Sequence, residues 1–241
     1  MASVRVFATA TELSVRAADA VATTIALAVR ARGRCSLALS GGETPRALYS
    51  ALATTYGAQL PWAKVHVFWG DERIVPVGSP LRNDQMARET LLSKVACPEA
   101  NIHPMAAGSA SPDASARAYE ETMRQYFSEN QPRFDLVLLG LGKDAHTASL
   151  FPGGEAVRES ERLVVAPWVE AQNTFRITLT PPVLNAARLV AFLAAGDDKA
   201  EPLRAVLEGP RDPERYPAQI IEGNRLWLVD RAAARLLATA A

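Results

Sequence analysis

Four short segments of this chain combine glycine with ionisable side chains in ways that can hold an anion or move a proton. In Ser40-Gly41-Gly42-Glu43-Thr44-Pro45 two glycines let backbone N–H groups approach an anion, and a helix opening there adds partial positive charge. The plainer reading is a tight turn, with Thr44 as N-cap and Pro45 as the first helical residue. Gly70-Asp71-Glu72-Arg73 sets two carboxylates beside a guanidinium that can fork onto phosphate. The alternative is a solvated loop carrying a surface ion pair.

The third segment runs from Gly140 to Pro152, G-L-G-K-D-A-H-T-A-S-L-F-P. It superficially contains the dinucleotide pattern G-x-G-x-x-A, but it follows a late strand and Pro152 leaves room for only a short helix. His146, close to Asp144 and among glycines, is placed for proton transfer, against the alternative of an inert loop histidine. His66, inside an apolar run, and His103, before Pro104, read as structural. In the fourth segment, Gly196-Asp197-Asp198-Lys199, Lys199 can serve as a point-charge phosphate ligand or can simply be an exposed lysine at a helix start.

Other chemistries lack their patterns: there is no Gly-x-Ser-x-Gly elbow, no Walker Gly-x-x-x-x-Gly-Lys-Ser/Thr and no His-Glu-x-x-His. Ser40 has no partner pattern that would make it a nucleophile. Asp144 and His146 supply two metal ligands without a third in the same loop, so no metal is expected.

All four segments follow apolar runs that read as strands, and in open α/β sheets ligands bind outside the carboxyl ends of strands. Ser3–Ala8 reads as a strand, and Thr9-x-x-Glu12 is a capping box before Leu13, Ala17, Val21, Ile25 and Ala28 at helical spacing. Strand Cys35–Ser40 then precedes a helix carrying Leu48, Leu52 and Tyr56. Strand Val65–Trp69, a polar loop, helices Asp84–Val95 and Ser111–Asn130, and strand Phe134–Leu139 continue the alternation. Two β-rich runs, Leu163–Val169 and Phe175–Thr180, precede a short helix begun by Pro181-Pro182. Strand Leu189–Ala194, helix Lys199–Leu207, strand Leu226–Val229 and a last helix complete the pattern of a parallel sheet with crossovers. No linker or repeat interrupts it, so 1–241 reads as a single α/β domain.

Composition narrows the field further. Of 241 residues, 49% are hydrophobic and 22% charged, and 14 Gly with 16 Pro are too few for a low-complexity chain. The 26 basic side chains cancel the 26 acidic ones, which argues against a nucleic-acid or anionic-membrane partner. The Ala-rich stretch Ala17–Ala31 is charge-flanked and too short to span a bilayer. Cys35 and Cys97 form no disulfide framework or zinc pattern, so a cytoplasmic setting with both thiols buried is expected.

Together S-G-G-E-T-P at 40–45, D-E-R at 71–73, the thirteen-residue histidine segment, R-I-T-L-T at 176–180 and G-D-D-K-A at 196–200 resemble the 6-phosphogluconolactonase family over nearly the whole chain. The resemblance implies a Rossmann-like fold, an open and mainly parallel sheet with helices on both faces, and no metal or organic cofactor. It implies hydrolysis of 6-phospho-D-glucono-1,5-lactone in the pentose phosphate pathway, with His146 as general base and Arg73 and Lys199 on the phosphate. On that basis Asp144 or Asp71 orients the imidazole, and Ser40, Gly41, Gly42 and Thr44 complete the phosphate cradle. Arg176 is then a candidate for stabilising the oxyanion, and the enzyme is expected to be a monomer.

Two departures stand out: families of this type usually have glycine where this chain has Ala145, and serine where it has Arg82. Ala145 implies either a loop that is not left-handed or a slightly strained one, and Arg82 is expected at the substrate mouth. The rival readings are a glucosamine-6-phosphate isomerase or deaminase and a non-catalytic sugar-phosphate sensor. The first needs an added carboxylate that Ser149-Leu150-Phe151-Pro152 lacks, and the second normally carries a DNA-reading module.

Overall fold

The computed structural model describes residues 2–105, 111–128 and 132–238. Strand β1 (Ala2–Phe7) leads into α1 (Ala10–Arg32). The Glu12 amide donates to the Thr9 hydroxyl and the Ala8 amide donates to the Glu12 carboxylate, which is the capping box expected there. Leu13, Ala17, Val21, Ile25 and Ala28 are all buried, and Gly33 at φ 76° ends the helix with a left-handed turn.

The chain continues through β2 (Cys35–Leu39), α2 (Glu43–Tyr56), β3 (Val65–Trp69), β4 (Asp71–Arg73), α3 (Asn83–Thr90), α4 (Pro112–Phe127) and β5 (Leu136–Gly140). Beyond these lie β6 (Val164–Val165), β7 (Trp168–Val169), β8 (Thr174–Leu179), α5 (Pro181–Ala186), β9 (Val190–Ala194), α6 (Ala200–Glu208), β10 (Arg225–Asp230) and α7 (Arg231–Ala234).

Six strands form one sheet in the order β1-β10-β9-β5-β2-β3, with every neighbouring pair parallel. Strands β2 and β9 are buried at every position, as a parallel sheet with helices on both faces requires. This is the Rossmann-like α/β architecture. From β2 the chain moves outward to β3, whereas from β5 it moves the other way to β9. The carboxyl ends of β2 and β5 therefore flank the topological switch point, where such sheets open a ligand crevice.

A second sheet corrects the sequence reading. Asp71–Arg73, expected as a polar loop, forms β4 and pairs antiparallel with β8, which also pairs with β6 and β7. Its polar residues face inward: Glu72 is 1% exposed and accepts hydrogen bonds from the Asn83 and Asp84 amides. Gly70 joins the two sheets, its amide donating to the Leu39 carbonyl and its own carbonyl accepting from the Leu179 amide.

Other boundaries shift for local reasons. The run Leu163–Val169 divides into β6 and β7 around Ala166-Pro167, since proline has no amide for a ladder. The helix expected to reach Val95 stops at Thr90 and tightens into a 3-10 turn at Leu92–Lys94. The helix expected to reach Asn130 closes at Phe127, and 129–131 lie outside the described residues. Cys35 is buried as expected, but Cys97, on a loop before Pro98, is only half-buried. No helix among the described residues is long and apolar enough to cross a membrane.

Candidate active site

A cleft of about 270 Å³ opens at the switch point, and Ser40, Gly41, Gly42, Asp71, Arg73, His146, Arg176 and Lys199 all line it. Residues separated by up to 159 positions therefore converge on one rim because each follows a strand of the same sheet or lies on the small sheet beside it.

The glycine loop is shaped by two different needs. Gly42 sits at φ 104°, a left-handed conformation that a side chain would strain, and acts as N-cap of α2. Gly41 instead makes room: a Cβ there would lie 1.9 Å from Asn83 Oδ1. Tyr49 of α2 fixes the loop's start, its hydroxyl donating to the Ser40 carbonyl at 2.8 Å and accepting from the Ser40 amide at 3.0 Å. Burial pushes the Tyr49 phenol well above its ordinary value, so it remains a donor. The expected cap is corrected: α2 starts at Glu43 rather than Pro45, because proline is tolerated throughout a first turn whose amides have no helical partner. Thr44 consequently lies within the helix and lines a neighbouring groove instead of the cleft.

The loop after β5 presents the histidine. Asp144 Oδ1 stands 2.5 Å from His146 Nδ1 and also accepts the His146 amide at 3.1 Å. Burial pushes the Asp144 carboxyl up, but the hydrogen bond and charge of His146 outweigh it and hold Asp144 below the usual carboxylate range. An ionised Asp144 fixes the proton on Nδ1 and leaves Nε2 as the basic nitrogen. The ring stacks on Phe151 at 4.2 Å, and the loop closes through Gly142 N–H to the His146 carbonyl at 2.8 Å. Gly142 has no room for a side chain, since a Cβ would lie 2.0 Å from His146 Nδ1 and 2.6 Å from Asp144 Oδ1. Ala145 takes the strained alternative, at φ 63° while 1% exposed.

Asp71 does not touch His146, which leaves the orienting contact to Asp144. Its carboxylate accepts from Ser149 Oγ at 2.7 Å and pairs with Arg176 at 3.6 Å, while its carbonyl accepts from Asn83 Nδ2 at 2.8 Å. Arg176 is further held by Gln172. Arg73 reaches the Leu81 carbonyl at 2.6 Å, and Lys199 pairs with Asp198 at 3.2 Å. Arg82 is the second correction: it is 2% exposed and absent from the cleft lining, drawn inward by Asp84 at 2.6 Å and the Met105 carbonyl at 3.0 Å.

Two lining residues escaped the sequence reading, Asn83 and Gln172. Asn83 Oδ1 is buried without a hydrogen-bond partner among the described residues, an acceptor held ready beside Gly41. Its only sequence signal was its place directly after Arg82, where families of this type usually read Ser-Asn; Gln172, in a polar turn, had none.

The cleft thus offers three cations, free loop amides and an imidazole backed by a carboxylate, a set suited to a phosphorylated substrate and a proton transfer. The family model described as glucosamine-6-phosphate isomerases/6-phosphogluconolactonase matches residues 8–229. A 6-phosphogluconolactonase from Synechocystis sp. is 45% identical, covering 90% of this chain and 91% of its own. One from Nostoc sp. is 41% identical over 96% of each. The crystal structure of 6-phosphogluconolactonase from Leishmania guyanensis superposes with a TM-score of 0.88 at 29% identity, covering all of both chains. Fold, cleft and sequence therefore lead to one conclusion: the chain belongs to the glucosamine-6-phosphate isomerase/6-phosphogluconolactonase family.

Proposed function

We propose that this protein is a 6-phosphogluconolactonase, hydrolysing 6-phospho-D-glucono-1,5-lactone to 6-phospho-D-gluconate in the pentose phosphate pathway. The observation that carries the mechanism is the His146–Asp144 pair, standing in a cleft that also holds Arg73 and Lys199. A δ-lactone is an activated ester, so it needs an anchored phosphate, a positioned water and one group that takes and returns a proton.

Arg73, Lys199 and the amides of Gly41 and Gly42 grip the 6-phosphate, using binding energy away from the reacting carbon to orient the carbonyl. His146 Nε2 removes a proton from water as the water oxygen bonds to the lactone carbon, and the carbonyl electrons move onto oxygen. Arg176 stabilises that oxyanion. When the intermediate collapses, the bond to the ring oxygen breaks and His146 returns its proton to that oxygen. Ser40 and Asp71 shape the floor, and the cycle needs neither metal nor organic cofactor. The same reading takes the enzyme as a cytoplasmic monomer without a nucleic-acid partner.

An isomerase or deaminase needs a free carboxylate for transfer at C2. Among the described residues lining the cleft the only carboxylate is Asp71, already engaged by Ser149 and Arg176. The test is hydrolysis of freshly generated 6-phosphogluconolactone by the wild-type chain and by His146→Ala, with glucosamine 6-phosphate in parallel. Lactone loss should slow by about 10²–10⁴ in the variant. Turnover of the amino sugar instead would overturn the assignment.

A further inference from the structure

At the opposite end of the same strands, about 16 Å away by strand rise, Arg32, Arg34, Arg133 and Arg188 surround a second pocket of about 260 Å³. Arg32 and Arg34 precede β2, Arg133 precedes β5 and Arg188 precedes β9, so three adjacent parallel strands deliver their arginines to one place. The chain as a whole carries no net charge.

The arginines are organised around Asp135, whose side chain is 7% exposed. Its Oδ2 accepts from the Ser36 amide at 2.8 Å and the Ser36 hydroxyl at 3.1 Å, tying it to β2. Its Oδ1 faces Arg32 at 2.6 Å and Arg188 at 3.4 Å. Arg34 lies over the Tyr126 ring at 4.3 Å and donates to the Tyr126 carbonyl at 3.4 Å. Arg34 and Arg133 have no carboxylate partner among the described residues.

Two local features offset some of this charge, since Arg32 ends α1 and Tyr126 and Phe127 end α4. Each helix C-terminus presents about half a negative charge. With those two ends and Asp135 counted against four guanidiniums, roughly two positive charges remain uncompensated among the described residues. A single carboxylate would leave one of them, whereas a phosphate group, at about −1.5 to −2 near neutral pH, matches them within a pocket of this size, and guanidinium forks suit phosphate oxygens.

We propose that this pocket is a second anion site that takes a phosphate-bearing anion, separate from the cleft at the carboxyl ends of β2 and β5. The test is calorimetric titration of inorganic pyrophosphate, and in a second arm ADP, into three full-length proteins at low salt. These are the wild type, the cleft variant Arg73→Ala/Lys199→Ala and the pocket variant Arg34→Glu/Arg133→Glu. Binding should persist in the cleft variant and weaken at least tenfold in the pocket variant, while the pocket variant retains wild-type lactone hydrolysis, which also reports that it is folded. Equal affinity for both probes assigns the site to the phosphate groups alone; ADP binding tenfold tighter assigns it to a nucleotide. Loss of all binding in the cleft variant, or unchanged binding in the pocket variant, overturns the proposal. Because the readout is binding, failure here leaves the lactonase assignment to its own assay.

Discussion

Gly142→Ala isolates the contribution of imidazole placement from that of the imidazole itself. Gly142 is not in the left-handed region, so alanine is compatible with its backbone. The added methyl, however, would lie 2.0 Å from His146 Nδ1 and 2.6 Å from Asp144 Oδ1, well inside contact distance. The side chain of His146, 28% exposed, must swing away and give up its 2.5 Å bond to Asp144. A charge-assisted hydrogen bond of this kind is worth about 1.5–3 kcal/mol, which by itself corresponds to roughly a 10- to 150-fold loss of rate. Displacing the base by an ångström or more costs about 10²-fold, so kcat should fall about 10²-fold or more with KM nearly unchanged. The assay is steady-state hydrolysis of fresh 6-phosphogluconolactone, corrected for spontaneous opening, on Gly142→Ala, His146→Ala and the double variant. If the methyl acts through His146, the double variant is no slower than His146→Ala, because groups acting as a unit are non-additive. A Gly142→Ala enzyme within threefold of wild type, or a double variant slower than His146→Ala, would refute the reasoning.

Further predictions follow from other residues. Lys199→Ala should raise KM for the phosphorylated lactone by about 10- to 100-fold, the scale of one charge-assisted contact, with a smaller effect on kcat; an unchanged KM would remove it from the phosphate site. Ala145→Gly should change stability by less than about 1 kcal/mol, because relief of left-handed strain offsets lost methyl burial and greater unfolded-state entropy. Ala17→Gly, buried in the middle of α1, should cost about 2 kcal/mol, and thermal melts of both check the contrast. Burial, followed by the charges of His103 and Arg34, lowers the His66 pKa to about 4. Above its ordinary value near 6.5 both folded and unfolded chains are neutral there, and between 6.5 and 4 only the unfolded chain gains the proton. Stability should therefore decline as pH falls through that window, by about 1–2 kcal/mol after allowance for solvent exposure. His66→Gln should flatten that part of the denaturation profile, and an unchanged slope would assign it elsewhere.

The sequence by itself determined the features that depend on neighbours along the chain. Helical spacing in α1, its Thr9–Glu12 box, the apolar runs of the central strands and the glycine-containing turns after them are local properties, and they identified the rim on which His146, Arg73 and Lys199 meet. Tertiary structure alone decided the contacts between distant segments. Asp71 reads as a solvated loop carboxylate or one that orients His146 until Ser149, 78 positions away, hydrogen-bonds it. Arg82 reads as part of the substrate mouth until Met105 and Asp84 draw it inward. Gly41 reads as an anion-cradle glycine and Gly142 as one glycine of the histidine segment, yet their need is space for Asn83 and for the His146–Asp144 pair. The four arginines at the other end of the sheet lie far apart in sequence and form no motif. Strand order brings them together, and that order is a consequence of non-local packing that no single stretch of the chain encodes.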